Sequence, residues 1–347
     1  MAFFKFSKNV CLGALLGFGL IGTAQAYDDE DVLGQFLEQK LSVQQPVQNQ
    51  AYNAPHYYND NNYNDDPLAA YTQPSPNFRN SPSNNIQNSP SNNIQYQASY
   101  AGPMLRAQSA LIMNAKTGQI LYQKNMDSVR SIASISKLMS AMVLLDAHLD
   151  MNQQITITED EIDRLKGTSS RLSIGTTLTR GQLLHLSLMS SENRATHALA
   201  RTYPGGMNAF VAAMNAKARS LGMANSRFYE PTGLDSRNVS TALELSKLVQ
   251  AASRYPKIRE LTTSTYGQAY TSAGKLQQFK NSNVLVREGQ MNITLQKTGY
   301  IREAGKSMVL QAQVGRDPVV IVVLGSASSA SRASDARSLG NMAQMSL

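Results

Sequence analysis

The chain has 347 residues, a net charge of +8, 42% hydrophobic residues and a single cysteine. That length and apolar content allow a sizeable folded core, and one cysteine excludes an intrachain disulfide framework. The basic balance favours polyanionic partners in general, but no nucleic-acid-binding motif accompanies it.

Residues 1–26 read as an export signal. Lys5 and Lys8 precede the apolar run VCLGALLGFGLIG, and Ala24-Gln25-Ala26 supplies an A-x-A cleavage pattern. The run is short for a membrane span. Cys11 opens that run and does not mark the cleavage point, so no lipid anchor is expected. Cleavage after Ala26 leaves a mature chain without a thiol nucleophile. The expected location is the periplasm, with no membrane anchor evident.

Residues 27–100 are crowded with Asn, Gln, Pro, Ser and Tyr, carry a net charge of −6, and repeat NSPSNNIQ at 80–87 and 88–95. So little apolar surface cannot offset the entropy of ordering, which predicts disorder. Within it, DDEDVLGQFLEQKL at 28–41 places Val32, Leu33, Phe36, Leu37 and Leu41 on one helical face behind an acidic start. A docking helix for a protein partner and a frayed amphipathic stub both fit that pattern.

Residues 101–347 form one domain with a net charge of +12. For an exported chain, an acidic cell-wall polymer suits that charge better than nucleic acid; solvated surface charge also accounts for it. Gln108–Asn114 and Gln119–Lys124 read as strands around an AKTG turn. From Ser134 the pattern turns helical, with Ile135, Leu138, Met142 and Leu145 at spacings of three and four. Thr179-Arg180-Gly181-Gln182 is a capping box opening the helix LLHLSLM. GMNAFVAAMNAKARSLGM and STALELSKLVQAASRY are further helices. Strands return as ITLQKTG, SMVLQAQV and VVIVVLGS, and SRASDARSLGNMAQM closes the chain as a helix. Strands from both ends with helices between them predict an α+β fold. Its antiparallel sheet of about five strands is flanked by helices, with a helical subdomain forming a cleft.

The chemistry narrows by elimination. His56, His148, His185 and His197 show no metal-ligand spacing, and no cofactor or metal is expected. His185 and His197 lie in helical patterns and read as packed or surface residues. No G-x-S-x-G elbow and no phosphate-cradling glycine loop is present. Serine with lysine is left. Ser134-Ile135-Ser136-Lys137 is an S-x-x-K at a helix start, and residues three apart share a helix face. Burial and the positive end of the helix dipole would favour a neutral, basic lysine there. The same helix start aims backbone N–H groups outward, where an oxyanion can be held.

Spelling alone decides little. A second S-x-x-K stands at Ser272–Lys275 and a second K-T-G at Lys116–Gly118. Ser-x-Asn recurs too, starting at Ser7, Ser83, Ser91 and Ser236. Only Ser134/Lys137, Ser191/Asn193 and Lys297/Thr298/Gly299 put the three motifs in order on a helix start, between two helices, and on a strand.

That ordered triple resembles the penicillin-recognising serine transferases. Over about residues 105–345 the chain is similar to the low-molecular-mass penicillin-binding proteins of the D-alanyl-D-alanine carboxypeptidase and endopeptidase family. RSIASISKLMSAMV, LSLMSSENRATHALA, FYEPTGLDS and QKTGYIREAGKSMV carry the likeness, and MSSENRA with KTGYIREAG resembles the endopeptidase branch. The resemblance implies a penicillin-binding/β-lactamase-like transpeptidase fold, with peptidoglycan peptide stems as substrate and β-lactams as covalent inhibitors. It also implies roles. Ser134 is the acylated nucleophile, Lys137 its base, and Ser191 a proton relay. Asn193 binds the substrate amide, Lys297 offers positive charge, and Thr298 and Gly299 lie on the strand that pairs with substrate. The backbone N–H groups of Ser134 and Tyr300 form the oxyanion site. Carboxypeptidase-type members often carry histidine after K-T-G, so Tyr300 departs from them.

Three alternatives are weighed. A class A β-lactamase needs E-x-x-L-N; Glu230-Pro231-Thr232-Gly233-Leu234-Asp235 has one residue too many before Leu234 and Asp for Asn, so it reads as a structural turn. A D,D-carboxypeptidase often adds a C-terminal domain and an amphipathic helix, whereas only 48 residues follow Gly299 here. A non-catalytic wall-binding scaffold would tolerate loss of the motifs, and all three are intact. The expectation is a D,D-endopeptidase acting in cell-wall remodelling.

Overall fold

A computed structural model of the chain describes residues 103–347. The expected export signal, the 27–100 segment with its 28–41 helix, and His56 lie outside the described residues. In chain order the strands are β1 Ser109–Asn114, β2 Ile120–Lys124, β3 Arg130–Ser131, β4 Gln154–Thr156, β5 Thr177–Thr179, β6 Val239–Ser240, β7 Tyr266–Tyr270, β8 Leu276–Lys280, β9 Ile293–Ile301, β10 Gly305–Val314 and β11 Asp317–Ser326. The helices are α1 Ser136–Asp146, α2 Arg180–Met189, α3 Asn193–Arg201, α4 Gly206–Ser220, α5 Ala242–Ala252, α6 Pro256–Thr263, α7 Val284–Glu288 and α8 Ser329–Ser346.

Five strands form one antiparallel sheet in the order β2-β1-β11-β10-β9, as the strand pattern predicts. Strand β11 shows why its sequence is an unbroken apolar run. Val320, Val322 and Leu324 enter the core shared with the helices of the middle region, while Val319, Ile321 and Val323 enter a second core under α8. Successive side chains point to opposite faces, so burial on both faces removes the polar alternation. The first hairpin turns on Asn114, whose Oδ1 accepts from the backbone N–H groups of Lys116 at 2.9 Å and Thr117 at 3.1 Å. The K-T-G at 116–118 is therefore a turn, with no catalytic neighbour.

Helix α1 runs through the middle of the larger core, with every residue from Ser136 to Leu144 buried. Apolar residues on several of its sides suit such a place, and Ser136, Lys137 and Ser140 are the polar groups it carries inside. Helix α2 opens with the expected capping box: Thr179 Oγ1 accepts from Gln182 N at 3.1 Å, and Gln182 Oε1 accepts from Thr179 N at 2.8 Å. The middle region is mainly helical, and it also holds the two-stranded pairs β3–β6, β4–β5 and β7–β8. In β7 and β8 only Ala269 and Phe279 are fully buried, too weak an alternation to read as strand. Among the described residues no helix is long and apolar enough to cross a membrane.

Candidate active site

Ala133–Ile135 make one 3₁₀ turn that runs into α1, so Ser134 stands at the helix entrance. Ala133 has φ of 47°, a left-handed conformation that costs a non-glycine residue about 1–2 kcal/mol. Two glycines press on this turn. A Cβ on Gly233 would lie 1.9 Å from Ala133 O and 2.7 Å from Ser134 N, and one on Gly299 would lie 2.8 Å from Ile132 O. No other residue fits at Gly233, whose own φ is 85°. The turn carrying Ser134 is thus clamped between the Pro231–Leu234 loop and β9.

Lys137 is fully buried. Its Nζ lies 2.8 Å from Ser134 Oγ, 2.8 Å from Asn193 Oδ1 and 2.6 Å from Thr232 O. A neutral amine has two N–H donors and one lone pair. The two carbonyl oxygens take the donors, which leaves the lone pair for the Ser134 hydroxyl proton. Burial drives the Lys137 pKa from 10.5 down to about 7, against the opposing charges of Glu230 and Glu192. A lysine with these neighbours can act as a base near neutral pH.

Ser191 lies in the link between α2 and α3, at φ of 62°. Its Oγ accepts from Lys297 Nζ at 2.8 Å. Asn193 opens α3, and its Nδ2 donates to Thr168 Oγ1 at 3.3 Å. Lys297 is buried on β9, where its Nζ also donates to Thr298 O at 2.8 Å. Thr298 Oγ1 donates to Ser282 Oγ at 2.7 Å. Among the described residues strand β9 pairs only with β10 and is an edge of the sheet; an open strand edge can take an extended peptide. Tyr300 follows on that strand, half exposed, with Lys306 Nζ 3.8 Å from its ring centroid. The three motifs are therefore brought together, at the entrance of α1, the link into α3, and β9, by the Lys137–Asn193 and Lys297–Ser191 hydrogen bonds and the contact of Gly299 with the Ser134 turn.

Two carboxylates act on Lys137 that the three motifs do not include. Glu230 holds the Pro231–Leu234 loop, accepting from Thr232 N at 2.6 Å, Gly233 N at 2.5 Å and Asn238 Nδ2 at 3.1 Å. It anchors a turn and offers no water-activating geometry of the β-lactamase kind. Glu192, between Ser191 and Asn193, is buried and accepts from Ser170 Oγ. Burial raises its pKa, opposed by the Ser170 hydrogen bond and the charges of Arg171 and Lys137. In sequence Glu230 stands out only as the near match to E-x-x-L-N, and Glu192 has no spacing that sets it apart.

The histidines lie elsewhere. His185 Nε2 is 2.9 Å from Ser264 Oγ, and His197 Nδ1 is 3.1 Å from Glu161 Oε1. Among the described residues no group of His, Cys, Asp and Glu is arranged to hold a metal ion. A cavity of about 300 Å³ opens between Met291, Gln313 and Arg337 and contains none of the motif residues.

Residues 96–328 match the family model described as D-alanyl-D-alanine carboxypeptidase. The chain is 45% identical over 221 residues to a D-alanyl-D-alanine endopeptidase of Pseudomonas aeruginosa, covering 63% of this chain and 71% of that one. It is 44% identical over 223 residues to the D-alanyl-D-alanine endopeptidase of Escherichia coli, covering 64% and 72%. The crystal structure of a Streptomyces DD-transpeptidase superposes with a TM-score of 0.66 at 30% identity, covering 72% of this chain and all of that one. With the S-x-x-K, S-x-N and K-T-G residues gathered in that fold, the chain belongs to the D-alanyl-D-alanine carboxypeptidase family of serine peptidases.

Proposed function

We propose that this chain is a serine D,D-endopeptidase of peptidoglycan that opens D-alanyl–diaminopimelyl cross-links through an acyl-enzyme on Ser134. The observation that carries the mechanism is the buried Lys137 amine, 2.8 Å from Ser134 Oγ and with its pKa lowered to about 7. Its relatives of 44–45% identity, both named endopeptidases, support the choice of cross-link over terminal residue.

In the first half-reaction Lys137 Nζ takes the Ser134 proton as Oγ attacks the D-alanyl carbonyl carbon. The oxygen of the tetrahedral intermediate lies between the backbone N–H groups of Ser134 and Tyr300. Asn193 binds the substrate amide, and substrate pairs along β9 beside Thr298 and Gly299. Lys297, hydrogen-bonded to Ser191, presents positive charge toward the substrate. As the C–N bond breaks, the proton that Lys137 took passes by way of Ser191 to the departing amine, which leaves Lys137 neutral again. Water then attacks the acyl carbon, its proton passing to Lys137, and the Ser134–acyl bond breaks to release the carboxylate and restore the serine. β-Lactams react by the same first step and stay on Ser134. The export-type N-terminus supports a periplasmic site of action, and the 28–41 pattern a protein partner there.

Purified protein incubated with cross-linked muropeptide dimers is expected to release monomers. Release of terminal D-alanine with dimers left intact would assign a carboxypeptidase instead, the activity for which the matching family is named. Fluorescent penicillin is expected to label the protein, and Ser134→Ala to abolish labelling. Persistent labelling in that variant would remove Ser134 from the role.

A further inference from the structure

The β7–β8 hairpin plays no part in this chemistry, yet its surface is distinctive. The pairing Tyr266↔Lys280, Gln268↔Gln278 and Tyr270↔Leu276 puts six side chains on one face of the ribbon. All six are exposed, and Tyr266 and Tyr270 present 62% and 64% of their surface. The opposite face holds the hairpin against the body. Phe279 is fully buried with the Arg171 guanidinium 4.4 Å from its ring centroid, and Gly267 packs so closely on α2 that a Cβ would lie 2.8 Å from Met189 Cε. Arg171 Nη1 also donates to Gln278 O at 3.2 Å.

The two tyrosines are therefore held about 13 Å apart along one strand, with an amide side chain between them and another opposite. Scattered exposed apolar residues need no explanation; paired aromatic rings flanked by amides on an anchored ribbon have the character of a binding surface. Residues 264–282 contain Lys275 and Lys280 and no acidic residue. The chain that leaves this hairpin also runs directly to the K-T-G strand. Two residues beyond Lys280, Ser282 donates its N–H to Met189 O at 2.9 Å and accepts from Thr298 of the K-T-G strand.

We propose that this face docks the glycan strand of peptidoglycan, an inference that rests on the reading of the cleft as a peptidoglycan peptidase. Sugar rings present C–H faces that stack on tyrosine, and their hydroxyl and acetamide groups pair with Gln268 and Gln278. The carboxylates of the attached stems complement a lysine-bearing, acid-free segment. A strand seated there holds its stem peptide beside β9.

Glycan strands stripped of their stem peptides are the probe, with binding to the full chain measured by sedimentation or titration. The parent is expected to bind, and the double variant Tyr266→Ala, Tyr270→Ala to bind about tenfold more weakly, the scale of two lost aromatic contacts. Tyr266→Phe with Tyr270→Phe is expected to keep binding, because the stacking face is retained. Labelling by fluorescent penicillin reports that each variant is folded. Should the alanine pair fail to label, Gln268→Ala with Gln278→Ala tests the same face and is expected to weaken binding. No binding by the parent, or unchanged binding in the labelled variants, would overturn the proposal. So would a variant that loses self-association while keeping glycan binding, which would assign the face to a second copy. Dimer cleavage is scored separately: a parent protein that cleaves dimers without binding glycan overturns the docking surface alone, and one that binds glycan without cleaving dimers overturns the function alone.

Discussion

Lys137 Nζ donates to Asn193 Oδ1 at 2.8 Å, joining the S-x-x-K turn to the S-x-N turn across 56 residues of chain. The contact orients the amine so that its remaining valence meets Ser134, and it occupies the Asn193 carbonyl while leaving Nδ2 near the cleft. One hydrogen bond thus couples the proposed base to the residue proposed for substrate recognition.

Acylation by fluorescent penicillin is expected to rise with pH through a single ionisation near 7, because Lys137 must lose its proton to act and burial lowers its pKa to about 7. Lys137→Ala is expected to slow acylation by about 10²–10⁴-fold. A profile flat between pH 6 and pH 8 (an order-of-magnitude window, roughly one unit each side) would remove the lysine from the role of base.

Gly233→Ala is expected to unseat the nucleophile. Its methyl group would overlap Ala133 O at 1.9 Å, and its backbone would be held at φ of 85°. Denaturant unfolding should show a loss of about 2–4 kcal/mol, with penicillin labelling falling further than stability accounts for. Wild-type labelling in this variant would contradict the clamp on Ser134.

Ser191→Ala and Ser191→Gly both remove the hydroxyl that accepts from Lys297, and both are expected to slow acylation by about 100-fold. They should differ in stability. At φ of 62° the glycine variant avoids the left-handed strain and is expected to be about 1 kcal/mol more stable than the alanine variant. Equal melting temperatures would show that the turn relaxes.

Glu161 gives a stability prediction away from the cleft. Burial would raise its pKa, but hydrogen bonds from His197, Arg201 and Thr158 outweigh it and bring the value from 4.5 down to about 2. The group favours folding while ionised. Its contribution is complete above about pH 4.5 and is lost as pH falls toward 2. Glu161→Gln is expected to cost about 2 kcal/mol at neutral pH and to flatten the acid limb of a stability curve measured by urea unfolding. An unchanged acid limb would rule the group out.

How much is legible in the sequence depends on how local each cause is. Ser134 and Lys137 pair because residues three apart share a helix face, and the Thr179–Gln182 cap is a contact within one turn. Strands β1, β10 and β11 are readable because burial leaves apolar runs bounded by turn residues. The β7–β8 hairpin is not readable, because its outward face is tyrosine and glutamine and only Ala269 and Phe279 are fully buried. Ser134, where periodicity predicts the helix to begin, falls in a 3₁₀ turn two residues ahead of α1.

By itself the sequence determines the order of the motifs, the sheet's composition from both ends of the domain, and the basic charge of the folded region. These follow from patterns within a few residues or from simple counts. Tertiary structure decides what surrounds Lys137. Thr232 O and Asn193 Oδ1 come from distant segments to take its protons, and complete burial removes the water that would keep it charged. It also decides that Gly233 and Gly299 meet on the Ser134 turn. Such effects depend on desolvation and on close contacts between segments far apart in the chain, and no local pattern encodes either.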